Sequence, residues 1–206
     1  MEGTGMNVSK EGSLLKKDVL LHVVHPYTWK LVDDTFIVGL VDEHTARDEH
    51  IGILGRTVLD TGGRILRYEA EHPQSLRGMI QHVSFESDPS FSFLLDERVQ
   101  SVVTTLKGCP LPDEKPSKAT EEQWKQYTET YATVSTLAKA VGTPDVSIFI
   151  GGALEACLAN TISFHNHYYR RTGEEMLYVP ELCAVFNEEQ ARDLKTLIGG
   201  LGAKAI

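Results

Sequence analysis

A cysteine, an aspartate and a lysine in this chain are placed as the parts of a thiol nucleophile would be. Cys157 follows the apolar run Val146-Ser-Ile-Phe-Ile150 and the pair Gly151-Gly152, at the first turn of a predicted helix. The first N–H groups of a helix lack intrahelical partners and form the positive end of its dipole, so a thiolate is favoured there and an oxyanion can be held there. Free cysteine is also among the most buried residue types, and simple space-filling is the competing reading. A thiol nucleophile needs a proton acceptor, and its tetrahedral intermediate needs a cation or clustered N–H groups. Asp42, at the end of the apolar run 36–41, is the candidate acceptor. Lys118, in the stretch Pro116-Ser-Lys-Ala-Thr-Glu121, is the candidate cation, with a solvent-facing loop lysine as its plain alternative.

The elements that must position these residues alternate. Short apolar runs at 19–24, 36–41, 65–68, 146–150, 176–179 and 203–206 read as strands, several of them nearly continuous in Val, Ile, Leu and Phe. Continuous runs of that kind fit parallel strands covered on both faces. Trp124, Tyr127, Tyr131, Val134, Leu137, Ala138 and Val141 recur at three- and four-residue steps, which predicts one helix ended by Gly142 and Pro144, its apolar stripe serving core or interface. Leu158, Ile162 and Tyr169 continue the pattern after Cys157, and Asn187-Glu-Glu-Gln190 resembles a capping box opening a last helix. Such alternation predicts an α/β domain with a mainly parallel sheet of roughly six strands. Open sheets of this type bind ligands beyond the carboxyl ends of their strands, the edge onto which Asp42 and Cys157 would both open.

Composition narrows the function. The 206 residues suit one domain over 18–206 after a Gly- and Ser-rich tail at 1–17 expected to be mobile, with 18–34 expected to be an addition to the fold. A formal net charge of −9 argues against nucleic acid as a partner, and the pair Arg170-Arg171 is too small to change that. No apolar stretch is long enough to span a bilayer, and residues 1–17 lack the features of a signal peptide. Three widely spaced cysteines, Cys109, Cys157 and Cys183, point to a reducing, cytoplasmic compartment, with Cys109 and Cys183 expected to be bystanders.

The run Ser117-Lys-Ala-Thr-Glu121, the helix after it, and Val146-Ser-Ile-Phe-Ile-Gly-Gly-Ala-Leu-Glu-Ala-Cys157-Leu-Ala-Asn-Thr161 together resemble the central block of the isochorismatase-like cysteine hydrolases, which include nicotinamidases and N-carbamoylsarcosine amidohydrolases. The resemblance is good over 115–206 and weak before it. It implies a three-layer α/β/α sandwich and hydrolysis of a small amide or ureide through a thioester. In that scheme Asp42 takes the thiol proton, Cys157 attacks, Lys118 supplies positive charge, and backbone N–H groups of Ala153, Leu154 and Cys157 hold the oxyanion. It also implies a homodimer or larger assembly.

Two departures stand against it. If 19–24 were the first core strand, His22 or His25 would fall at its end and no aspartate would be available. The family's metal motif is reduced to Tyr68-Glu-Ala-Glu-His-Pro73, so no cofactor is expected, although His72 with His82 and Glu69 remains a candidate divalent site. The alternative function is an inactive protein that keeps the fold for binding or assembly.

Overall fold

The computed structural model describes residues 17–25, 28–31, 40–70, 80–83, 89–105, 107–152, 154–183, 185 and 188–206. Six strands form one sheet: β1 (Val19–Val24), β3 (Arg64–Ala70), β5 (Val99–Thr104), β6 (Val146–Gly151), β7 (Glu175–Tyr178) and β8 (Ala203–Ala205). Their order is β5-β3-β1-β6-β7-β8 and every neighbouring pair is parallel. β2 (Thr28–Leu31) and β4 (Ile80–Val83) form a separate antiparallel pair.

Alternate residues of the central strands feed two cores, because successive strand side chains point to opposite faces. On one face Leu20, Leu66, Tyr68 and Phe149 pack against α3 (Val134–Val141), α4 (Ala159–Phe164) and α5 (Glu188–Gly200) through Leu137, Ile162 and Ile198. On the other face Leu21, Val23, Ile65 and Ile150 meet Ile51, Val58 and Leu59 of α1 (Leu40–Asp60), together with Phe91 and Leu94 of a 3-10 helix. The result is the expected three-layer α/β/α sandwich with a parallel sheet.

Three expectations are corrected. Residues 18–34 are not wholly an addition: β1 lies between β3 and β6 in the middle of the sheet, and its residues are almost fully buried. The run 36–41 does not end as a strand at Asp42, since α1 begins at Leu40 and Asp42 lies in its first turn, while 36–39 fall outside the described residues. Ile51, Leu54, Val58 and Leu59 explain that outcome, because their three- and four-residue steps give α1 an apolar face after the charged block. Third, the single helix over 124–141 is two: α2 (Glu121–Thr130) and α3. Between them Ala132 donates its N–H to the Val103 carbonyl at 2.7 Å, and Leu111 bridges Thr133. Thr133 then caps α3 by accepting from the Thr136 N–H. The tail 1–16 falls outside the described residues.

Candidate active site

β1 and β6 are neighbours in register, Val24 opposite Gly151, so both chains leave the carboxyl edge of the sheet side by side. β1 runs into His25, which is 2 % exposed and has a φ of 44, while its N–H donates to the Tyr68 carbonyl at 3.0 Å. β6 runs into Gly151 and Gly152, with φ of 77 and 60, values that L side chains adopt with difficulty. A Cβ on Gly152 would stand 2.8 Å from the Cys157 sulfur and 3.3 Å from the Val24 carbonyl oxygen. Gly152 thus separates the Cys157 thiol from the β1 exit with nothing thicker than backbone.

Cys157 lies in a π-helical turn, Leu154–Leu158, that leads into α4. It is 6 % exposed. The Thr161 hydroxyl lies 2.8 Å from the Cys157 carbonyl and 3.3 Å from the Gly108 carbonyl, tying the loop after β5 to this turn. A Cβ on Gly108 would meet the Cys157 carbonyl oxygen at 2.8 Å, a second close approach that only glycine permits. Lys107, exposed and next to Gly108, belongs to the loop that approaches the Cys157 turn. Lys118 is exposed in a turn ahead of α2, whose N-cap is Thr120. β5 is absent from the strands expected from sequence because Gln100 and Ser101 interrupt its apolar pattern.

Cys183, expected to be a bystander, belongs to the same buried neighbourhood. It follows β7 through a 3-10 turn, Pro180–Leu182, and its thiol lies 3.1 Å from the Val179 carbonyl. Burial pushes the Cys183 thiol up to about 12; the Arg47 guanidinium opposes this, the nearby Cys157 adds to it, and a hydrogen bond from the Gly151 backbone again opposes it. Arg47 is itself buried on α1 and pairs with Asp48, its Nη2 at 2.6 Å from Oδ1. Cys109, half-buried in the loop after β5, is also raised, chiefly by burial, with Lys107 acting against the shift.

Asp42 lies at the start of α1, a helix that runs antiparallel to the strands. Its other end turns through Gly63, where an added Cβ would be 3.1 Å from the Val19 carbonyl at the amino edge. At 1.5 Å per residue a helix of 21 residues is about 31 Å long, whereas a strand of six spans about 20 Å, so the α1 start reaches past the carboxyl edge. Asp42 is on that side of the sheet, carried by a helix and not by a strand end. Leu154 is fully buried at the start of the π turn, and Ala153 lies outside the described residues. His72 is also outside them, and His82 sits opposite Trp29 in the β2–β4 pair. Glu69 is bound by Arg67, at 2.5 Å, and by the Ser101 hydroxyl. No cluster of three metal-ligating groups occurs among the described residues.

No protein-family model and no curated protein matches this sequence. Solved structures do match its fold. Pyrazinamidase of Pyrococcus horikoshii in complex with zinc is similar over 92% of this chain and 98% of its own, with a TM-score of 0.54 at 16% identity. Pyrazinamidase/nicotinamidase from Streptococcus mutans is similar over 92% of this chain and all of its own (100%), with a TM-score of 0.53 at 15% identity. A putative MAR1 ribonuclease from Leishmania donovani is similar over 92% of this chain and 78% of its own, with a TM-score of 0.53 at 12% identity. The parallel α/β/α sandwich seen here is the architecture these structures share with it.

Proposed function

We propose that the chain is a cysteine-dependent hydrolase that cleaves a small amide or ureide C–N bond through a thioester. The observation that carries this reading is the Cys157 sulfur packed against Gly152 at the carboxyl edge, where β1 and β6 exit together. The fold likeness to pyrazinamidase and pyrazinamidase/nicotinamidase supports the substrate class. The Cys157 thiolate attacks the carbonyl carbon, backbone N–H groups around Leu154 and Cys157 hold the oxyanion, the amine leaves with a proton, and water releases the acid. His25 takes the thiol proton in this scheme, because it occupies the strand end that Asp42 was expected to occupy, and imidazole is an effective base toward a thiol near neutral pH. Lys107 replaces Lys118 as the nearby positive charge. The reading keeps a reducing cytoplasmic setting, no resident cofactor and no nucleic-acid or membrane partner. It also keeps a homodimer or larger assembly, which α2 supports by burying none of its residues and leaving Tyr127 43 % exposed.

One observation favours the alternative, an inactive protein using the fold for binding or assembly: the first core strand ends in histidine where a carboxylate was expected. The deciding experiment is a panel of nicotinamide, pyrazinamide, N-carbamoyl amino acids and simple ureides, followed by amine or ammonia release. Mass spectrometry of the quenched enzyme would look for an acyl adduct on Cys157. Turnover that Cys157→Ala abolishes supports the hydrolase; no turnover on any member and no adduct supports the alternative.

A further inference from the structure

Away from the carboxyl edge, five polar side chains are buried together in the core. His22 of β1 is 0 % exposed, Ser147 of β6 0 %, Tyr68 of β3 1 %, His165 1 % and Glu174 5 %. Glu174 precedes β7, and His165 opens the second π turn, His165–Tyr169, at the far end of the helical run that carries Cys157. The hydrogen bonds form one chain. Tyr68 Oη is 2.9 Å from His22 Nδ1, and His22 Nε2 is 3.3 Å from Ser147 Oγ. The Ser147 hydroxyl donates to Glu174 Oε1 at 2.6 Å, and His165 Nε2 stands 2.6 Å from the same oxygen. The Arg171 N–H occupies Glu174 Oε2 at 3.0 Å.

The carboxylate gives the chain a direction. An ionised Glu174 can only accept, so Ser147 spends its proton there and its lone pair must accept from His22. His22 therefore carries its proton on Nε2, leaving Nδ1 bare to accept from Tyr68, whose phenol burial holds in the protonated form. A second proton on His22 would go to Nδ1, against the Tyr68 oxygen, and would charge a ring that lies between Phe149, stacked at 4.2 Å, and His165, edge-on at 5.0 Å.

We propose that this chain of side chains is an acid-released catch: it fastens the helical run 154–169 to β1, β3 and β6 while His22 is neutral and Glu174 ionised, and lets go as the pH falls. Burial, then His165, then Arg64 hold His22 well below the usual histidine range. Arg64 is itself paired with Asp18 at 2.9 Å. Burial would raise Glu174, but the hydrogen bond and charge of His165, with Ser147 and the Arg171 N–H, lower it overall. Tyr169, near Tyr68, is raised by burial and by Asp113 and stays neutral. Both His22 and Glu174 thus bind protons more readily in the unfolded chain. Stability is full above the free-histidine value of about 6.5, falls below it as the unfolded chain takes up the His22 proton, and falls further where free glutamate protonates, about 4.3.

The test compares the wild-type protein with His22→Gln, whose amide can donate to Ser147 but does not titrate. Thermal melts and amide hydrogen exchange over 165–174 would be followed from pH 8 to pH 5. In the wild type the folding constant should fall below pH 6.5 by up to about tenfold per pH unit, and that limb should be missing in His22→Gln. Equal limbs in the two proteins would overturn the proposal. Nitrogen-15 NMR of the wild-type imidazoles decides independently of whether the variant folds. A neutral Nε2–H tautomer for His22 at pH 6 supports the catch, and an imidazolium or the Nδ1–H tautomer refutes it.

Discussion

Gly152 stands against Cys157 so closely that a methyl group at residue 152 would lie 2.8 Å from the thiol sulfur. Two effects are superposed there, because Gly152 also has a φ of 60. Gly173 isolates one of them: its φ is 92 and an added Cβ would meet nothing within 4 Å. Gly173→Ala should therefore report backbone strain alone, roughly 1–2 kcal/mol. Gly152→Ala should cost at least as much in a denaturant melt, and in addition displace the sulfur and abolish Cys157 alkylation and turnover. Equal alkylation rates in the two variants would mean that the contact does not position the thiol.

The three thiols should separate by reactivity. With Cys183 pushed up to about 12, its thiolate is scarce at pH 7, and its alkylation rate should climb about tenfold per pH unit through the alkaline range. Cys109, raised by burial, should also react slowly at neutral pH. If Cys157 is the nucleophile, a substoichiometric pulse of iodoacetamide at pH 7 should label it first, as read by peptide mass spectrometry. Labelling of Cys109 or Cys183 ahead of Cys157 would count against its role.

Charge removal distinguishes the two lysines. Lys107→Ala takes away the cation beside Gly108, whose carbonyl shares Thr161 with Cys157. It should lower kcat/KM by about tenfold or more, the scale of a lost electrostatic contact to a developing charge. Lys118→Ala removes an exposed turn residue and should leave kcat/KM within a factor of about two, with a stability change under about 0.5 kcal/mol. The reverse ranking would restore Lys118 to the site.

Sequence pattern reveals the layers better than it reveals β5 and α1. β1 and β6 are legible because both are almost wholly buried and hence almost wholly apolar. β5 is an edge strand with Gln100 and Ser101 both exposed, so its apolar signal is weakened. α1 was hidden for a different reason: its first turns are charged, and its apolar face emerges only from Ile51 onward. With that helix in place, Asp42 lies in its first turn and not at a strand end. The His22–Glu174 chain has no local signature at all, because its members come from four elements and the turn before β7 and meet only after folding.

Loss of one bond in that chain should be measurable as stability. Tyr68→Phe deletes the hydroxyl that lies 2.9 Å from His22 Nδ1 and leaves that buried ring nitrogen without its partner. The expected cost is about 1–3 kcal/mol in a urea melt at pH 7.5. An unchanged midpoint would show that the bond contributes nothing net.

His25 and Asp42 make opposite predictions about the proton acceptor. His25→Asn keeps a residue type that tolerates the φ of 44 while removing the base, so the fold should survive. If imidazole takes the thiol proton, this variant should lose about 10²–10⁴-fold in kcat. In the wild type, kcat/KM should then fall on the acid side with an ionisation in the histidine range. Asp42→Asn, altering only the first turn of α1, should remain within a few-fold of wild type. A carboxylate acceptor reverses each result: Asp42→Asn would be the damaging change, and the acid limb would move down toward the range of a carboxyl group. The pH profile matters because substitution alone can injure a site by distortion, whereas the position of the limb identifies the group that must lose its proton before the thiol can be activated.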